Sequence, residues 1–462
     1  MALLRLCVVT GYPSSLFSGY IRQMSTAPKL TWLHVSDLHF GHGDAHYRFD
    51  QQGVTGAILR DAEERAKLLG PPDLIFVTGD IAFSGQKEQY AQAKDWLTKL
   101  LAKVGGSPRL FVVPGNHDVD RKQAAKLAAA ALHRELRGDP KKLDELLQDA
   151  SQMQALWPKL GAYAEFAKDL GTPALTAETP FYSQEVECQL GGKVVVVGLN
   201  TALLCLDDQD GPKTLGLGRG QILKAIEQQP TDALLLVLQH HPPEWLSDGK
   251  DLAAYLQLRP QIQFSGHVHQ QQGVVHMPLL GGTRLQFVAG AGHMDQKEDG
   301  SHAYAWGQLS EEGLAYYSRV WLPERKGFAP ATMLDSDDFK RGDHAFVERA
   351  RLPKKLGNWL PAKAPKTTPK ARASTKVKPA ALPPSGLTVP DPTAAVVPSQ
   401  VLSPQPSTVT AQVAESSANP AQSAAEQRLR AKIAKALKDK DGSVLLVVGA
   451  GVSMGATLGS QH

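Results

Sequence analysis

Leu110-Phe111-Val112-Val113-Pro114-Gly115-Asn116-His117-Asp118 is the stretch on which the reading of this chain turns. Four consecutive apolar residues have the character of a buried strand, and the polar tetrad begins where that strand must end. Open α/β sheets bind their ligands outside the carboxyl ends of their strands. Four other segments have the same layout. Asp37-Leu38-His39 follows the apolar run 30–35, and Gly79-Asp80 follows 74–78. His240-His241-Pro242 follows 233–238, and Gly266-His267-Val268-His269 follows 261–264. One such segment carries little weight, but five in series predict a shared sheet edge where all of them meet.

The side chains in these segments supply oxygen and imidazole donors, a mixture that suits Mn, Fe, Zn or Ni rather than a thiolate-seeking ion. Asp80, on a sharp turn after its strand, can bridge two divalent cations roughly 3.5–4 Å apart. Such a pair binds a phosphate oxygen and lowers the pKa of a bound water, and it stabilises both the attacking and the leaving oxygen. The expected reaction is attack on phosphorus by a hydroxide bridging the two metals, with no covalent phospho-enzyme. His117 can protonate the leaving alkoxide, with Asp118 orienting its ring. An isolated histidine near a strand end is usually a satisfied core or surface residue, and His34, His42, His46, His276 and His293 are read in that way. His241 is read as a supporting neighbour of His240.

At these residues the chain resembles the calcineurin-like metallophosphoesterase superfamily, with its pattern D-x-H, G-D, G-N-H-D/E, H and G-H-x-H. The resemblance spans residues from about 30 to 325 and leaves no ligand missing. It implies an α/β fold, a β-sandwich flanked by helices with the metals at its edge. It also implies that Asp37, His39, Asp80 and His269 hold one metal and that Asp80, Asn116, His240 and His267 hold the other. His117 would be the proton donor or transition-state stabiliser. The run Gly79-Asp80-Ile81-Ala82-Phe83-Ser84-Gly85, with Tyr90 after it, is similar to the class III cyclic-nucleotide phosphodiesterase branch, as is His240-His241-Pro242-Pro243. The protein Ser/Thr phosphatase branch usually has Asn-His-Glu where this chain has Asn-His-Asp. The implied substrate is therefore a phosphodiester, in a nucleotide or a nucleic acid.

Working outward, residues 29–350 read as one metallophosphoesterase domain. Helical spacing covers 51–69 before Gly70-Pro71-Pro72, and 86–104 before Gly105-Gly106. Residues 121–172, rich in Ala, Leu, Lys and Glu, read as an inserted helical pair or triplet. Two roles stay open for the insert: a cap bordering the site, or packing on the sheet flank. Strand patterns resume over 180–190 and 193–199, and alternating segments at 283–288 and 314–322 read as a closing antiparallel group.

Charged residues make up 21% of the chain and the net charge is +4, which implies no overall field of the nucleic-acid-binding kind. Cys7, Cys188 and Cys205 are scattered and odd in number, pointing to a reducing compartment and no disulfide framework. The expected location is cytoplasmic. Residues 1–28 read as a disordered extension, with Met24 a plausible start; the apolar run near residue 1 is too short to span a bilayer.

Residues 351–423 read as a disordered linker. From 352 to 423 they hold 13 of the 31 prolines and, after Trp359, no aromatic residue. Residues 351–378 carry nine Lys and Arg without an acidic residue, which reads as solvated linker rather than a polyanion site. Residues 424–462 read as an incomplete βα unit, in which an apolar strand runs into Gly449-Ala450-Gly451-Val452-Ser453. Gly449, Gly451 and Ser453 are its candidate nucleotide-binding residues. That segment resembles the opening of sirtuin-like NAD-binding domains. The resemblance implies an alternative in which the phosphoesterase-like domain senses a nucleotide, or acts as a scaffold, for a sirtuin-like NAD hydrolase in a longer protein of the defence type.

Overall fold

The computed structural model describes residues 28–206, 210–269, 272–276, 284–293, 302–331 and 340–362, with backbone alone for 272–276, 284 and 340. Two facing sheets are built around buried strands such as 74–78, 194–199 and 234–238. One contains β1 (Lys29–Val35), β2 (Leu74–Thr78) and β3 (Arg109–Val113), which are parallel to one another. The other contains β4 (Phe181–Val186), β5 (Val194–Leu199), β6 (Leu234–Leu238) and β7 (Gln261–Ser265). It is completed by β8 (Gln272–His276) and β9 (Arg284–Val288), in the order β4-β5-β6-β7-β9-β8. The first sheet is extended through β10 (Ala303–Ser310), β11 (Gly313–Leu322), β12 (Gly327–Pro330), β13 (Lys340–Arg341) and β14 (His344–Glu348).

Side-chain alternation explains the layering. Val194 and Val196 of β5 and Leu234, Leu236 and Leu238 of β6 join the core between the sheets. Val195, Val197, Leu235 and Val237, one residue out of phase, join a separate core on the outer face. Phe264 of β7 fills the space between the sheets, with ring centroids 5.6 Å from Trp32, 4.8 Å from Phe76 and 5.9 Å from Phe287. A sandwich flanked by helices is thus the architecture, as expected.

Helices α1 (Ala45–Leu69) and α2 (Lys87–Val104) pack on the first sheet and are tied together where the Trp96 indole N–H donates to the Thr55 carbonyl. The first begins six residues before the expected start, because Asp44 accepts from the backbone N–H groups of His46 and Tyr47 and caps it there. The insert has more helices than the expected pair or triplet. It comprises α3 (Arg121–Ala124), α4 (Leu127–Leu136), α5 (Pro140–Leu146), α6 (Ala150–Leu156) and α7 (Gly161–Asp169). Asp120, Asp139 and Asp149 each cap a new helix and so break up the run. Leu136, Leu143, Leu146, Met153 and Leu156 share the outer core with Val195, Val197, Leu235 and Val237. Phe166 of α7 stacks on Tyr90 of α2 at 4.8 Å. Packing on the flank is therefore the role these apolar residues fill.

Two further expectations are corrected. The segment at 283–288 does not belong to a purely antiparallel group, since β9 runs parallel to β7 and antiparallel only to β8. The folded structure also continues past residue 351, where the linker was to begin, through a further helix. Leu352, Leu356 and Leu360, on and around α10 (Lys354–Trp359), are buried in the main core. On the outer face of the second sheet lie α8 (Arg219–Ile222), which widens into a turn of π-helix at Leu223–Glu227, and α9 (Gly249–Leu256). Among the described residues no helix is long and apolar enough to cross a membrane.

Candidate metal centre

The five motifs leave the carboxyl ends of β1, β2, β3, β6 and β7 and meet at one edge of the sandwich. Their loops are zipped together by main-chain bonds. Asp37 N–H donates to Gly79 O, His39 N–H to Asp80 O, and Gly266 N–H to His240 O, at 2.9–3.0 Å. The backbone at this edge is strained. Among the described residues, seven non-glycine residues have positive φ, and five of them are Asp37, His39, Asp80, His267 and His269. Each such residue costs on the order of 1–3 kcal/mol and persists only where its surroundings over-determine it. Gly115 permits a close approach, since a Cβ there would lie 2.2 Å from Asp80 Oδ1.

The side chains fall into two groups around one shared carboxylate. Asp37, His39, Asp80 and His269 offer donor atoms within 4.8 Å of one another. Asp37 Oδ1 lies 3.3 Å from His269 Nε2, and Asp80 Oδ2 lies 3.4 Å from His39 Nε2. The same Asp80 Oδ2 is 3.2 Å from His240 Nε2 on the other side. There Asn116 Oδ1 sits 3.1 Å from both His240 Nε2 and His267 Nδ1. His241 has a ring nitrogen within 4.8 Å of those of His240 and His267, while its Nδ1 lies 2.9 Å from Thr201 Oγ1.

Main-chain carbonyls turn the imidazoles inward. His39, His240 and His117 place Nδ1 at 3.2 Å from His293 O, 2.7 Å from Thr78 O and 2.9 Å from Phe83 O. A carbonyl only accepts, so each Nδ1 carries a hydrogen and each Nε2 is turned toward the site. Thr78 immediately precedes a motif, but nothing in the sequence marks the carbonyls of Phe83 and His293. His293, set aside in the sequence as a bystander, acts through this carbonyl. His34 is a core residue, with Nε2 2.9 Å from Thr78 Oγ1. The side chain of His276 lies outside the described residues.

The expected part of Asp118 is corrected. Its carboxylate accepts from the N–H groups of Ile81, Ala82 and Gly115 and from the Tyr90 hydroxyl, so it braces the Asp80 loop against the Asn116 loop. The Phe83 carbonyl orients His117 in its place. The short 3-10 turn Asn116–Asp118 puts the two neighbouring side chains on different sides.

Charge balance points to cations. Asp37 and Asp80 are buried, and among the described residues neither pairs with a Lys or Arg. Burial alone would raise the Asp80 carboxyl, but His240, His117 and His39 hold it well below its ordinary value. Burial would lower His240, yet Asp80 and Asp37 outweigh it and lift the ring to about 9. Burial and then His240 push His267 down to about 3. Burial also lowers His117, with Asp80 opposing. For Asp118, burial and Asp80 push the carboxyl up to about 6 against its three N–H donors. Buried carboxylates surrounded by inward-facing imidazoles, with no Lys or Arg paired to them among the described residues, form a donor set that fits hard to borderline divalent metals.

Gly449, Gly451 and Ser453, with the rest of the proposed C-terminal unit and the N-terminal extension 1–27, lie outside the described residues.

Comparisons with solved structures give remote likenesses. A dimetal phosphatase from Danio rerio is 14% identical, with 67% of this chain and 100% of that chain covered and a TM-score of 0.38. A purple acid phosphatase from yellow lupin is 13% identical, with 64% and 52% covered and a TM-score of 0.38. An NAD nucleotidase from Haemophilus influenzae is 12% identical, with 68% and 54% covered and a TM-score of 0.33. This chain thus spans about half the length of the latter two proteins. No curated protein matches it. The model of the calcineurin-like phosphoesterase family matches residues 30–271, over half of the chain and all five motifs, so this chain belongs to the calcineurin-like phosphoesterase family.

Proposed function

We propose that the chain hydrolyses a phosphodiester at a centre of two divalent cations. Asp37, His39, Asp80 and His269 would hold one, and Asp80, Asn116, His240 and His267 the other. The observation that carries this reading is the position of Asp80 Oδ2, 3.4 Å from His39 Nε2 and 3.2 Å from His240 Nε2. One carboxylate oxygen faces both groups, where a ligand shared by two cations would lie. When bound, the cations would supply Lewis-acid stabilisation of phosphoryl charge and a nucleophilic water at neutral pH.

The protein's own part is orientation and proton transfer. The carbonyls of Thr78 and His293 fix the ring planes of His240 and His39, so the donor atoms are in place before substrate arrives. Nε2 of His117, left free by the bond to Phe83 O, is the atom that would give a proton to the leaving alkoxide. Burial disfavours that acid form, and a bound phosphate anion would restore it.

Two features favour a diester. Gly85 and Tyr90 follow Asp80 as in the cyclic-nucleotide phosphodiesterase branch. The carboxylates also pair with no Lys or Arg among the described residues, which suits one phosphate charge better than two. With Mn²⁺, bis-p-nitrophenyl phosphate should be turned over at least about ten times faster than p-nitrophenyl phosphate, a difference of roughly 1.4 kcal/mol in the barrier. Equal rates, or a preference for the monoester, would overturn the diester reading.

A further inference from the structure

The family resemblance covers His240-His241-Pro242-Pro243 but not Glu244-Trp245, which follow directly. Pro243–Trp245 forms a single 3-10 turn, with Trp245 N–H donating to Pro242 O and Trp245 O accepting from Lys213 N–H at 2.7 Å. Gly249 closes this turn from behind, since a Cβ there would lie 1.8 Å from Pro243 O. Two prolines and these contacts restrict the backbone under Trp245. Its indole is half-buried, and its ring centroid lies 4.1 Å from that of His267, at 86°.

The ligand groups are open to solvent on this side. Asp37, His39, Asp80 and His240 are buried, whereas Asn116, His117, His267 and His269 are half-buried and form the mouth. Two further aromatic rings border this mouth, but they differ in what they can offer. Phe83, at the His117 end, is stacked on His117 at 5.1 Å and on His42 at 3.8 Å, so its faces are taken. Trp245, at the His267 end, has ring contacts among the described residues only with His267 and, at 6.4 Å, with His241. Its indole N–H makes no hydrogen bond with the described residues.

We infer that Trp245 is a specificity-determining platform on which the base of a nucleotide stacks while its phosphate lies at Asn116 and His267. The indole lies directly against His267, 4.1 Å between ring centroids, so a base on it would sit beside a phosphate held at that histidine. A rigid aromatic face beside a phosphate site recognises any base through its π-surface, without a hydrogen-bond code. Holding that face on a proline-locked turn removes the cost of ordering it upon binding. This inference rests on the phosphoesterase reading of the site and adds a substrate class to it.

Binding of AMP and of ribose 5-phosphate to the full chain loaded with Mn²⁺, in a His117→Ala background that suppresses turnover, tests it by equilibrium dialysis. AMP should bind about ten-fold more tightly than ribose 5-phosphate, within the range that one stacked base supplies. Adding Trp245→Ala should bring the two affinities together by weakening AMP alone, and Trp245→Phe should restore most of the difference. Equal affinities in the parent, or an AMP preference that survives Trp245→Ala, would overturn the inference and leave the phosphoesterase reading standing. Binding of neither compound would overturn both.

Discussion

At Asp80 the local geometry is costly and specific. Its backbone is left-handed, its carboxylate is buried, and one oxygen faces two histidines from different motifs. Gly115 matters for the same reason. Gly115→Ala would place a methyl 2.2 Å from Asp80 Oδ1 and push the carboxylate out of line. A loss of about 10–100-fold in metal affinity is expected, since displacing groups that orient ligands has that effect, and a metal titration followed by calorimetry would read it. His117 is a different case, because it sits beside the donor groups without completing either. His117→Ala should lower kcat by about 10²–10⁴ while the metal content, measured by elemental analysis, stays unchanged. These donor residues were all legible in the sequence because each chemical type stands in a short motif after an apolar run. The carbonyls of Phe83 and His293 were not, since every residue has a carbonyl and only the folded loops select which one an imidazole meets.

Among elements, the strands are where pattern and structure agree best. Residues 74–78 form β2 with no shift at either end, and 261–264 gain only Ser265 in β7. A five-residue apolar run bounded by polar motifs leaves little choice of register. The insert was harder to read because its composition is helical throughout, and the breaks lie in single capping aspartates such as Asp139 and Asp149. The pairing of β9 with β7 is non-local, and no pattern within residues 284–288 encodes it. The link between α2 and the metal edge runs through the Tyr90 hydroxyl, which donates to Asp118 Oδ1 at 3.0 Å. Tyr90→Phe should remove that bond and cost about 1–3 kcal/mol, visible as a lowered unfolding midpoint in urea with an unchanged slope.

Across the whole folded unit, stability depends on what the last helix and the insert bury. A chain ending at Ala362 keeps every described residue on the carboxyl side and serves as the reference. One ending at Arg351 loses the burial of Leu352, Leu356 and Leu360 and should be less stable by about 3 kcal/mol or more, measured by thermal or urea unfolding. Lys159 adds a pH dependence. Its buried ammonium meets Leu203 O, Cys205 O and His133 Nε2, yet burial prevails and lowers its pKa to about 7 from 10.5. The unfolded chain then binds the proton up to about pH 10.5 and the folded chain only to about pH 7. The cost of burying this charge is therefore full below pH 7 and is relieved as the pH rises through that window. Lys159→Met should lack this rise in stability between pH 7 and 9, with the difference between the two proteins taken from urea unfolding at each pH.

If two cations share Asp80, the number of bound ions must fall as their ligands are removed one by one. The wild-type chain, loaded with Mn²⁺ and freed of excess, should carry two ions. His269→Ala and Asn116→Ala should each carry one, and Asp80→Ala should carry none that survives dialysis. A wild-type chain that binds a single ion, or an Asp80→Ala chain that keeps two, would show that Asp80 is not shared between two cations.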